Sequence, residues 1–180
     1  MIRPGRVAVL FLILAWTFPV QAATTPATQS ALEYSVKANY LVRFAAFVEW
    51  RARAFATPQS PVVLCVAGRD PFGAALDRAV VGQTAYGRPL AVRRPMTATA
   101  AAGCHVLYVA QGGAAVLRGL GPRPGVLVVT DAAVGPERGM IHFVISNARV
   151  RFHIDQRTAA ASGLSISSRL LNLALTVQGA

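Results

Sequence analysis

Lysine is almost missing from this chain: of its 18 Lys and Arg residues, Lys37 alone is a lysine. Acidic residues are scarce too, 7 in 180. They are scattered, so no pair of carboxylates offers itself for general acid–base work. The three histidines, His105, His142 and His153, show no metal-ligand spacing such as HExxH. Two cysteines without clustered histidines do not make a zinc site. Ser162, Ser165, Ser167 and Ser168 cluster near the C-terminus, but no GxSxG elbow surrounds them. The loop Asp70 to Gly73 follows a strand-like run, where phosphate loops sit, yet it lacks the second glycine, the lysine and the hydroxyl of a P-loop. Asp131 ends a strand-like run, which suits a catalytic carboxylate in a parallel sheet and equally suits a turn. Together these absences predict a non-enzyme that needs no cofactor and no metal. Nor is there a basic run interleaved with aromatics, so nucleic acid is not an expected partner.

What is present starts at the N-terminus. Arg3 and Arg6 precede an apolar run of 14 residues, Val7 to Val20, and Val20-Gln21-Ala22 supplies small residues for cleavage. This is the layout of a secretory signal peptide over 1–22. A spanning helix needs about 20 apolar residues, and this run ends at Pro19. No lipobox cysteine follows, and no later stretch has the length and apolarity of a span. Residues 23–30 read as a flexible leader, and 31–180 as a single domain, a size that supports a real core. Without Arg3 and Arg6, 16 basic residues face 7 acidic ones, a net charge of +9. Such a surface attracts anionic headgroups, glycans or an acidic protein, or is simply solvated. Cys65 and Cys104 permit a single pairing; in an oxidising compartment they form a disulfide, and otherwise they are two buried thiols.

A helix is predicted from about Ala31 to Trp50, with Leu32, Val36, Tyr40, Phe44 and Phe47 as its apolar stripe. Val62 to Ala67, Cys104 to Ala110 and Gly125 to Thr130 are continuous apolar runs, with a shorter strand at Pro89 to Arg93. Short helices are expected at Pro71 to Val81 and Gly112 to Leu120. Continuous apolar strands alternating with helices predict an α/β fold: a mostly parallel central sheet flanked by helices. A C-terminal β-hairpin, turning at Ser146-Asn147-Ala148, and a closing helix from about Thr158 to Val177 complete it. On the last strand Val150, Phe152 and Ile154 alternate with Arg149, Arg151, His153 and Asp155. Arg149, Arg151 and His153 are the densest polar set on a regular element. They are the candidate ligand- or partner-binding residues, because arginine grips carboxylates in a bidentate fork. The alternative is a solvated outer face.

Two segments, VKANYLVRFAAFVEW (36–50) and GMIHFVISNARVRFHID (139–155) continuing through SGLSISSRLLNLA, together with VLCVAGRDPFG, GRPLAVRR and CHVLYVA in order, resemble the YfiR family. The resemblance covers about Tyr34 to Val177. It implies a periplasmic α/β domain that binds the periplasmic sensor domain of an inner-membrane diguanylate cyclase and represses it. Cyclic di-GMP is thereby lowered and biofilm formation restrained. It also implies a Cys65–Cys104 disulfide. A periplasmic module for a small anionic ligand, a glycan or another cell-wall component is the alternative, and a homodimer is a further possible assembly. This chain departs from the family pattern at Arg51, where proline is common, at Arg138, where glycine is usual, and at Asp155, where asparagine is frequent.

Overall fold

The computed structural model describes residues 25–121 and 124–179; the expected signal peptide, 1–22, lies outside them. The first helix, α1, spans Pro26–Phe47, so it starts five residues before the expected Ala31, inside the expected leader. Thr25 caps it, its side chain accepting from the Thr28 N–H. The buried face of α1 is Ala38, Leu41, Phe44 and Ala45, with Lys37 among them. Leu32 and Val36, expected in the core, are 59% and 45% exposed. The helix ends in a two-residue strand, β1, Val48–Glu49.

The sheet follows from the apolar runs. Strands β2 (Val62–Ala67), β4 (Arg88–Arg93), β5 (Val106–Val109), β6 (Leu127–Asp131) and β7 (Ile141–Ser146) run parallel, in the order β7-β6-β5-β2-β4. On one edge β3 (Thr84–Ala85) pairs antiparallel with β4. On the other, β8 (Arg149–Asp155) pairs antiparallel with β7, and β10 (Thr176–Gln178) lies parallel to β8. Both faces of the central strands are covered, which is why their sequences are continuous rather than alternating. Val62, Leu64 and Val66 pack with α1, while Val63, Cys65 and Ala67 pack with α3, Ala114–Leu120, on the far side. The α1 side also takes Leu76 of α2 (Ala74–Val80), and holds an aromatic group of Tyr40, Phe44, Phe143 and Phe152 with centroids 5.2–6.3 Å apart.

The β7–β8 turn falls where expected. Asn147 and Ala148 both have positive φ, 50° and 56°, the arrangement a tight two-residue hairpin requires. The expected helix from Thr158 to Val177 is not continuous. It divides into α4 (Gln156–Ala161), β9 (Ser165–Ile166), α5 (Ser168–Leu171) and β10. Gly163, at φ 76°, ends α4. Ile166 then pairs with Val48, Ser167 caps α5 through Leu170 N–H, and Leu175 N–H bonds to Phe152 O to enter β10. Tertiary hydrogen bonding overrides the helical spacing of the leucines. Helix α2 likewise begins at Ala74, after the expected Pro71.

Candidate functional site

Each histidine is positioned by the strand it sits on. His105, just before β5, accepts the Val63 N–H at Nδ1 (3.1 Å), which directs Nε2–H to Ala54 O (3.1 Å). Its ring stacks on Phe55 with centroids 4.5 Å apart. Burial lowers its pKa. This is a neutral structural histidine. His142 on β7 is 4% exposed. Its Nδ1 lies 2.8 Å from Thr130 Oγ1, which already accepts the Gly139 N–H at 2.8 Å. Through Thr130 the His142 ring is thus tied to the chain entering β7, and its Nε2 is left free of that bond. Burial, with the positive charge of Arg138 second, pushes its pKa down to about 4.

The GRDPFG loop is a structural turn. Asp70 Oδ1 accepts the Phe72 N–H, and Arg94 bridges Asp70, Asp77 and Gly73 O at 2.7–3.1 Å. At the carboxyl ends of β2 and β5, where the strand order reverses, a ligand crevice is the general expectation. Here the backbone fills it: a Cβ on Gly113 would stand 2.3 Å from Ala67 O, and one on Gly68 2.6 Å from Gln111 O.

Asp131, at the end of β6, is neither a bare turn residue nor an open carboxylate. It is 2% exposed and accepts from Lys37 Nζ at 2.7 Å, Tyr108 OH at 2.5 Å and the Ala133 N–H at 2.9 Å. Lys37 Nζ also meets Glu33 at 2.5 Å and sits 4.5 Å from the Tyr34 ring centroid. Burial works against both charges, but the hydrogen bonds prevail: the Asp131 pKa is lowered and that of Lys37 raised. The Tyr108 hydroxyl is held un-ionised, by burial first and then by the Asp131 charge. The sequence signal for this network was the solitary lysine itself, in a chain that otherwise uses arginine.

The candidate residues Arg149, Arg151 and His153 divide between two places. Arg149 and Arg151 line a groove of about 720 Å³ at the sheet edge, with Leu32, Val36 and Tyr40 of α1 opposite Ile145 and Leu173. Ile145 is 54% exposed and Leu173 45%. Among the described residues neither arginine has an ion-pair partner, whereas Glu33 at the groove is matched by Lys37. β10 pairs β8 only from His153 to Asp155, so among the described residues the Arg149–Arg151 edge of β8 carries no further strand. His153 lines a different cavity, of about 370 Å³, with Arg138, His142 and Asp155. The departure at Arg138 places a guanidinium there, while the retained Gly139 is required: its Cβ would lie 2.5 Å from Val128 O.

The cysteines are joined. Cys65 on β2 and Cys104 before the neighbouring β5 form a disulfide, with Cα atoms 5.8 Å apart across 39 residues of chain. A two-faced α/β sheet, stapled between neighbouring strands and carrying an open apolar groove at one edge, defines a small cross-linked α/β domain. Its family is given by the match of a YfiR/HmsC-like family model to residues 34–175: the chain belongs to that family. No curated protein matches it.

Proposed function

We propose that this protein is a periplasmic regulator that binds the periplasmic sensor domain of an inner-membrane diguanylate cyclase and represses it. Family membership over residues 34–175 is the observation that carries this reading. The edge groove supplies a means. Exposed Leu32, Val36, Ile145 and Leu173 offer apolar area, and beside it Arg149 and Arg151 have no ion-pair partner among the described residues. An acidic, partly apolar segment of the cyclase fits such a surface, and the free β8 edge accepts an extended backbone. Repression is then a shift of population: the regulator binds the inactive receptor better than the active one. Export through the 1–22 segment and the Cys65–Cys104 bridge are in keeping with a periplasmic site of action.

The test is direct binding. The mature chain is titrated against the purified periplasmic domains of the membrane diguanylate cyclases of its source cell. One domain should bind. Ile145→Asp and the pair Arg149→Ala/Arg151→Ala should each weaken that binding by about 10-fold or more, with circular dichroism unchanged because these side chains lie outside the core. Wild-type affinity in both variants would remove the groove from the account; binding to none of the domains would remove the function.

A further inference from the structure

The second cavity has its own chemistry. It lies where the first residues of β7 meet the last of β8, and Gln178 of β10 closes one side. His142 and His153 are directly opposite each other on the two strands, which sets their Cβ atoms about 5 Å apart. His142 is buried, and its Nδ1 is occupied by Thr130, so the atom it offers to the cavity is Nε2. That nitrogen has no protein partner among the described residues. His153 is held by Thr176 Oγ1 at Nδ1 (2.6 Å), which likewise leaves its Nε2 for the cavity. Arg138 is exposed and makes no ion pair among the described residues.

Asp155 is the one carboxylate in the lining, and it is already engaged. Its Oδ1 accepts the Thr158 N–H at 2.9 Å and its Oδ2 the Thr158 hydroxyl at 2.6 Å, as the cap of α4. The cavity is therefore rich in donors: a five-donor guanidinium and two imidazole Nε2 atoms, that of His142 reached by solvent, face space that the protein does not fill. A volume of about 370 Å³ belongs to the smaller metabolite-sized sites.

We propose that this cavity binds a small oxyanion, a carboxylate or phosphate group, held by the Arg138 fork and the Nε2 atoms of His142 and His153. The occupant bridges the β7–β8 hairpin to β10. The site is separate from the edge groove and does not depend on the regulatory reading.

Calorimetric titration of the mature chain tests this, with inorganic phosphate in one arm and succinate and citrate in another, all in chloride-matched buffer. At least one anion should bind saturably at one site, and the arm that responds tells phosphate from carboxylate. Arg138→Ala should weaken it by about 10-fold or more, the size of a lost charge-assisted hydrogen bond, and His153→Gln should weaken it as well. The His142 ring resonances should move on titration, while Arg149→Ala, at the groove, should bind as the wild type does. Saturable binding of no anion, or unchanged binding in both Arg138→Ala and His153→Gln, would overturn the proposal.

Discussion

Lys37 shows how much one residue type can say. The other basic residues of the chain are arginines, mostly exposed among the described residues, and the single lysine is 3% exposed. A compact ammonium on a flexible stem fits between the Tyr34 and Phe143 rings and reaches both Asp131 and Glu33; a planar guanidinium is larger and binds differently. The pair ties α1 to the end of β6, because burying either charge alone is costly. Lys37→Met should therefore destabilise by about 3–5 kcal/mol in urea unfolding, since it strands the Asp131 charge. Lys37→Met/Asp131→Asn should recover part of that loss. Equal stability of wild type and Lys37→Met would mean that the network holds nothing together. The composition exposed the oddity of this residue, but not its partner: Asp131 lies 94 residues away, and a hydrogen bond at that range leaves no local pattern.

At the scale of elements, the strands were the legible part. VVLCVA, CHVLYVA and GVLVVT are apolar almost throughout, His105 and Thr130 apart, because α1 and α3 cover opposite faces. The hairpin was equally readable from the alternation of Val150, Phe152 and Ile154 with polar neighbours. The helices α1, α2 and α3 stand where expected, but their bounds and the buried face of α1 are less legible, and the closing helix is not continuous. In α1 the core-facing stripe uses Ala38, Ala45 and Lys37, residues that carry little hydrophobic signal. Leu32 and Val36, which carry much, instead line the groove. The segment 158–177 has leucines at helical spacing, yet Gly163 and the pairings of Ile166 with Val48 and Thr176 with His153 break it up. Of the candidate site, the strand pattern found Arg149, Arg151 and His153, but not that β10 stops at His153 and separates the groove from the cavity. The Cys65–Cys104 bridge also acts on elements, because it joins β2 to the segment entering β5. For a loop of this length the chain-entropy estimate is about 4 kcal/mol. Reduction, or Cys65→Ala/Cys104→Ala, should lower the urea-unfolding free energy by up to that amount. No change in the unfolding midpoint on reduction would show that the bridge does not support the fold.

The whole molecule joins an α/β core, a staple between its central strands, an open edge groove and a donor-rich cavity at the opposite end of β8. The core and staple hold a fixed shape; the groove and cavity are what that shape presents to others. The proposed function lies in that presentation rather than in chemistry on a substrate. The most direct test is cellular cyclic di-GMP, measured in the parent strain, in a deletion of this gene, and in a double deletion that also removes the bound cyclase. The account predicts that the single deletion raises cyclic di-GMP and that the double deletion returns it to the parental level. Unchanged cyclic di-GMP in the single deletion, in cells shown to express the protein beforehand, would contradict it.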